Sequence, residues 1–185
     1  MPADQSKGEI KNALEPGNAL PHIDVALVTG DFVTLGSPMA DRDWQLIVVY
    51  RGLHCPLCKK YLAQLNEMPP DFHALNVEVL ALSGDPLEKA QAMVSEKALN
   101  MPVGYDLSVD QMRMLGLYIS DPRSPAETDQ PFPEPGIFVI NDAGKIQILD
   151  ISNAPFARPD LSSLLNGIKF VRENGYPVRG THQAA

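Results

Sequence analysis

The chain's only two cysteines, Cys55 and Cys58, stand where a strand hands over to a helix, and that junction constrains the fold more than any other feature. Before it, Gln45 to Tyr50 is a nearly continuous apolar run, the pattern of a strand buried on both faces. After it, Cys58, Tyr61, Leu62, Leu65 and Met68 recur at helical spacing until Pro69-Pro70 stops the pattern. Pro56 suits a first helical position, where its missing N–H costs nothing. A helix start leaves N–H groups unpaired and favours an anion. A cysteine thiol ordinarily titrates near about 8.5, and such a position or a Cys-x-x-Cys motif can lower it to roughly 3.5–7.5. Cys55 would then be the exposed attacking sulfur, and Cys58, one turn deeper on the same face, the resolving one. Two alternatives stand beside redox use. The pair could be small buried apolar residues, or part of a zinc site, although a closed site needs four ligands and only His54 is near in sequence.

At 185 residues and 44% apolar content, the chain suits one folded domain. Its 15 basic and 23 acidic residues leave a net charge of −8 with no long basic run, so neither nucleic acid nor a membrane surface is an expected partner. The polar start, Met1 to Glu9, lacks the apolar core of a signal peptide, and no stretch approaches the roughly 20 apolar residues of a membrane span. A cytoplasmic setting is expected, where a lone Cys-x-x-Cys is more often catalytic than structural.

The domain is expected over residues 20–175, after an arm at 1–19 with a short helix around Glu9–Leu14 and before a flexible tail at 176–185. Strand-rich residues around Thr29-Gly30-Asp31 suggest a small hairpin. Asn76 to Leu82 reads as the next strand. Asp85 with Glu88 resembles a capping box, with Pro86 at the first position of a helix reaching about Leu99. Met101 to Tyr105 is a short extended piece, and Ser108 with Gln111 caps a small helix ending near Gly116. Five prolines make Ser120 to Pro135 a surface loop, either a plain connector or a lid beside the cysteines. Strands at Gly136–Ile140 and Lys145–Leu149 flank Asn141 to Gly144, and a last helix runs from Asp160 to about Glu173. This order gives an α/β fold, a central mixed sheet with helices on both faces.

The pattern resembles the thioredoxin fold and, more narrowly, the peroxiredoxin-like branch of the alkyl hydroperoxide reductase/thiol-specific antioxidant (AhpC/TSA) family. Cys55-Pro56 is similar to that family's peroxidatic Cys-Pro. Gly136 to Gly144, followed by Asn153 to Arg158, resembles its Gly-Leu-Phe-Ile-Ile-Asp hairpin and the Pro-x-x-Arg beyond it. The resemblance implies that Arg158 lies near the reactive cysteine, where a guanidinium would stabilise a thiolate and a developing oxyanion; otherwise it is a surface arginine before the last helix. There are departures. The family's Pro and Thr, seven and three residues before the cysteine, are Val48 and Gly52 here. Its second arginine is Pro135, which by likeness to thioredoxins is expected to be a cis-proline facing the dithiol.

Arg51 and His54 are the residues that could replace what is missing, by charge or, for a neutral His54, by moving protons; His54 could equally fill the place of thioredoxin's tryptophan. His22 and His73 have no evident partner, and Asp85 reads as a cap. The resemblance implies a thiol oxidoreductase in which Cys55 attacks a hydroperoxide or a protein disulfide, Cys58 closes a disulfide, and an external thiol such as thioredoxin or glutathione reopens it. No bound cofactor or metal is expected, and a homodimer is possible by analogy. Two other classes remain: a redox sensor or metal carrier without turnover, and a structural thioredoxin-like partner.

Overall fold

A computed structural model describes residues 14–39 and 41–182. The chain in order forms β1 (Asp24–Leu27), β2 (Phe32–Thr34), β3 (Trp44–Val49), α1 (Pro56–Asn66), α2 (Pro69–Ala74), β4 (Val77–Leu82), α3 (Leu87–Lys97), β5 (Val103–Tyr105), α4 (Val109–Met114), β6 (Ile119–Ser120), β7 (Phe132–Pro133), β8 (Gly136–Ile140), β9 (Ile146–Ile151) and α5 (Leu161–Asn174). Seven strands make one sheet in the order β2-β1-β5-β4-β3-β8-β9, and β6 pairs with β7 separately. β3, β4 and β5 run parallel, while β8 runs antiparallel to β3 in the register Val49↔Gly136. The sheet is therefore mixed, as expected. β3 and β4 are buried along their whole length, which is why they read as unbroken apolar runs.

Alternation along β3 divides the core. Leu46, Val48 and Tyr50 join Cys55, Cys58, Leu62, Phe72, Met93 and the α5 residues Leu161, Leu164 and Ile168 on one face. Ile47 and Val49 join Val25, Leu27, Met112, Leu115 and Phe138 on the other. Helices thus cover both faces, α1, α2, α3 and α5 on the dithiol side and α4 opposite.

Several local expectations change. Pro69-Pro70 ends α1 as predicted, yet the same prolines occupy the opening positions of α2, where a missing N–H is harmless. Ser108 and Gln111 form the expected reciprocal capping box. Asp85 does not cap α3: Pro86 is the N-cap, and no side chain caps that helix. No described peptide bond is cis, so Pro135 is trans. Its carbonyl accepts from Ser152 N–H at 3.0 Å while Glu134 N–H donates to Tyr118 O at 2.8 Å, leading the chain extended into β8. The short helix foreseen around Glu9–Leu14 lies, except for Leu14, outside the described residues.

Candidate active site

The dithiol sits at the end of β3 as its sequence suggests. Cys55 is the N-cap of α1, Pro56 opens the helix, and the Cys58 N–H donates to Cys55 Sγ at 3.2 Å. An α-helix brings residues three apart onto one face, and here the two Cα atoms are 5.2 Å apart with the sulfurs joined in a disulfide. The exposed attacking sulfur expected at Cys55 is not found in this oxidised form. Cys55 is 1% exposed and Cys58 0%, and both belong to the apolar cluster behind α1.

Arg158 comes to the pair from the segment between β9 and α5. Its Nη2 donates to Cys58 Sγ at 3.4 Å, its Nε to Pro155 O at 3.0 Å, and its guanidinium lies 4.4 Å from the centre of the Tyr61 ring. Tyr61 Oη donates in turn to Pro159 O at 2.9 Å, tying α1 to the arginine's own loop. Burial lowers the guanidinium pKa and raises the phenol of Tyr61 to about 12. Arg158 Nη1 is buried and has no partner among the described residues. A surface pocket of about 250 Å³ reaches Arg158 and Tyr61 past Leu57 and Phe156.

Arg51 does not reach the sulfurs. Its Nε pairs with Glu134 Oε2 at 3.3 Å, its Nη2 stands 4.0 Å from Glu127 Oε1, and its guanidinium lies 4.8 Å from the Phe132 ring centre. His54 packs edge-on against the same ring at 4.6 Å between centroids. Both of its ring nitrogens are buried and have no partner among the described residues. Burial first, then the charge of Arg51, hold the imidazole below its usual value, so it is neutral at pH 7. Gly52 has φ +143°, a conformation that L side chains rarely adopt. Pro135 is buried beside β8, and by the β3–β8 register it falls opposite Tyr50.

The proline-rich stretch is strapped onto this region. Gln130 donates to Gly84 O, Lys89 pairs with Asp129, and Glu134, 4% exposed, also accepts from Ser120 Oγ at 2.6 Å. Sequence reading missed Phe132, Glu134, Tyr61 and Asp85 as parts of the site. A buried glutamate between two prolines carries no periodic signal, although its apolar neighbour Phe132 inside a polar loop could have drawn notice. Among the described residues no cluster of three or more His, Cys, Asp and Glu is placed to hold a metal ion. No helix among them is long and apolar enough to cross a membrane.

The sequence profile of the AhpC/TSA family matches residues 16–148, most of the chain and all of the strand–dithiol–helix junction. The chain belongs to the AhpC/TSA family. With its redox-active dithiol at that junction, this AhpC/TSA protein is a thiol-based antioxidant oxidoreductase. Its fold is similar to that of peroxiredoxin 6 of Arenicola marina, with a TM-score of 0.73, 16% identity, and coverage of 89% of this chain and 76% of that one. It is likewise similar to a peroxiredoxin-like protein from Aquifex aeolicus, with a TM-score of 0.70, 19% identity, and coverage of 86% and 88%. The peroxidoxin BcpB from Mycobacterium tuberculosis gives a TM-score of 0.70 at 16% identity, covering 85% of this chain and 98% of that one. A search of curated protein sequences finds no match.

Proposed function

We propose that this AhpC/TSA protein reduces hydroperoxides with Cys55 as nucleophile and Cys58 as resolving thiol. The observation that carries the reading is the buried Arg158 guanidinium on the dithiol, with its Nη1 still unpaired. A donor without a partner beside a sulfur is positioned for charge that appears during reaction. Cys55 thiolate attacks one peroxide oxygen and the O–O bond breaks. The departing oxygen takes a proton and leaves as an alcohol or water, and Cys55 becomes a sulfenic acid. Cys58 then attacks that sulfur, the hydroxyl leaves as water, and the disulfide closes. Two electrons from an external dithiol, or from two monothiols, restore the pair through a mixed disulfide. A pocket lined by Arg158, Tyr61 and Leu57 opens beside the helix that carries the dithiol.

Protein disulfide exchange is the second reading, favoured by a Cys-x-x-Cys spacing in which Gly52 and Pro135 replace the hydroxyl and guanidinium of peroxiredoxin relatives. Stopped-flow oxidation of the pre-reduced protein decides between them. The peroxidase reading expects hydrogen peroxide to oxidise Cys55 at least about a thousandfold faster than free cysteine, as oxyanion stabilisation and a lowered thiol pKa would give together. A rate equal to free cysteine's, with active reduction of insulin disulfides, assigns the protein to exchange instead.

A further inference from the structure

Asp85 fills the room that a side chain at position 52 would need. A Cβ added to Gly52 would stand 2.7 Å from Asp85 Oδ1, 3.0 Å from Oδ2 and 3.0 Å from His54 Nδ1. The same carboxylate accepts the Leu53 N–H at 2.7 Å, while Cys55 N–H closes a turn onto Gly52 O at 3.1 Å. Residues 52–55 are thus a turn fastened at its second member by a carboxylate from just beyond the end of β4. Asp85 is itself pinned. Its N–H donates to Ser83 Oγ at 3.2 Å, its carbonyl accepts from Asp106 N–H at 2.8 Å, and it is 3% exposed. A buried acid that caps no helix is costly to keep unless it has a task.

We propose that Asp85 is a positioning residue for Cys55, its carboxylate holding the Leu53 amide and, through that turn, the direction in which the sulfur meets its substrate. The inference rests on Cys55 being the nucleophile. It also accounts for Gly52: carboxylate and side chain cannot share the space, so a glycine and an aspartate stand here together. An ionised acceptor makes the stronger bond to an N–H, so the tie weakens when the carboxyl takes up a proton. Burial holds that carboxyl above the ordinary carboxylate range, opposed by the Leu53 bond and the charge of Lys89. The groups facing it are Lys89 from α3, Asp129 from the strap and the Tyr50 phenol at the end of β3, with the His54 imidazole on the other side of the space above Gly52. Reactivity of Cys55 therefore falls on the acid side through Asp85 as well as through its own thiolate.

The test uses the full chain, pre-reduced, as wild type, Asp85→Asn and Asp85→Ala, with circular dichroism to establish folding. Second-order rates with hydrogen peroxide and, separately, with iodoacetamide are measured from about pH 4 to about pH 8, spanning carboxyl and thiol titrations. Asp85→Ala is expected to slow both reactions about ten- to hundredfold, the scale of a small misplacement of a reacting atom. Asp85→Asn, whose amide oxygen still accepts the Leu53 N–H, is expected to recover most of that loss while lacking the extra acid limb. A wild-type rate in Asp85→Ala, or an asparagine variant no better than the alanine one, overturns the proposal. Should the alanine variant fail to fold, the asparagine profile decides alone, and an acid limb identical to wild type's overturns it. Wild-type oxidation by peroxide no faster than free cysteine's, with Asp85-dependent alkylation intact, sinks the peroxidase reading and leaves Asp85 its role.

Discussion

Arg158 holds Pro155 O through Nε and Cys58 Sγ through Nη2, and lies over Tyr61, which leaves Nη1 buried and without a partner among the described residues. Its replacement should therefore act on rate more than on folding. Arg158→Ala is expected to lower the peroxide rate constant about 10²- to 10³-fold, the usual loss for removing an oxyanion donor. It should also raise the Cys55 thiol pKa, read from thiolate absorbance against pH. Arg158→Lys keeps a charge but loses the planar fork, and should recover only part of that loss. His54 gives a prediction of a different kind. Burial and Arg51 hold the folded imidazole low, whereas the unfolded chain takes a proton near about 6.5. The stability that neutral His54 contributes is present above that value and is lost as pH falls through the lower folded one. Melting temperatures of a His54→Phe variant should show a shallower decline from neutral into acid than wild type. His73, also held low by burial and by Arg42, keeps part of the slope. At this scale the sequence exposed the cysteines, by spacing, and Arg158, by its Pro-x-x-Arg. Asp85 was misread because Asp-Pro before a helix has the form of a cap, and its partner, the Leu53 amide, lies 32 residues earlier.

Among the elements, the strap from β6 to β7 is the one whose role no local pattern announced. The prolines rightly mark it as irregular, yet its function depends on which distant groups it covers, and these are Arg51, His54, Gly84 and Lys89. Regular elements were legible because burial on two faces or one writes a period into the chain. β3 and β4 read as apolar runs, α5 as a striped helix, and Ser108 and Gln111 as a cap. α2 was invisible because two prolines serve equally to end one helix and to begin another. Glu134 anchors the strap, with Arg51 and Ser120 as partners in a nearly buried setting. Glu134→Ala would leave Arg51 with only the more distant Glu127, and is expected to cost about 3 kcal/mol, the scale for breaking a buried pair from one side. Urea unfolding measures this, and limited proteolysis should show cleavage moving into residues 121–131.

At the scale of the whole molecule, the sheet separates two apolar clusters, and only one contains the dithiol. Stability and reactivity should therefore separate according to which face is disturbed. Ile47, fully buried on the face opposite the cysteines, and Leu62, fully buried under α1, are both core residues. Truncation to alanine should destabilise each by about 2–5 kcal/mol through lost burial and a residual cavity. Only Leu62→Ala loosens the helix whose Cys58 amide donates to Cys55 Sγ, so only that variant should raise the Cys55 thiol pKa. Ile47→Ala should leave it at the wild-type value so long as the protein is folded. Equal pKa shifts in the two variants would mean that the sheet transmits packing changes across its thickness, and that the sulfur's environment belongs to the entire core. An unchanged pKa in Leu62→Ala would instead place control of the thiolate with Arg158 and the Gly52–Cys55 turn, not with the seating of α1.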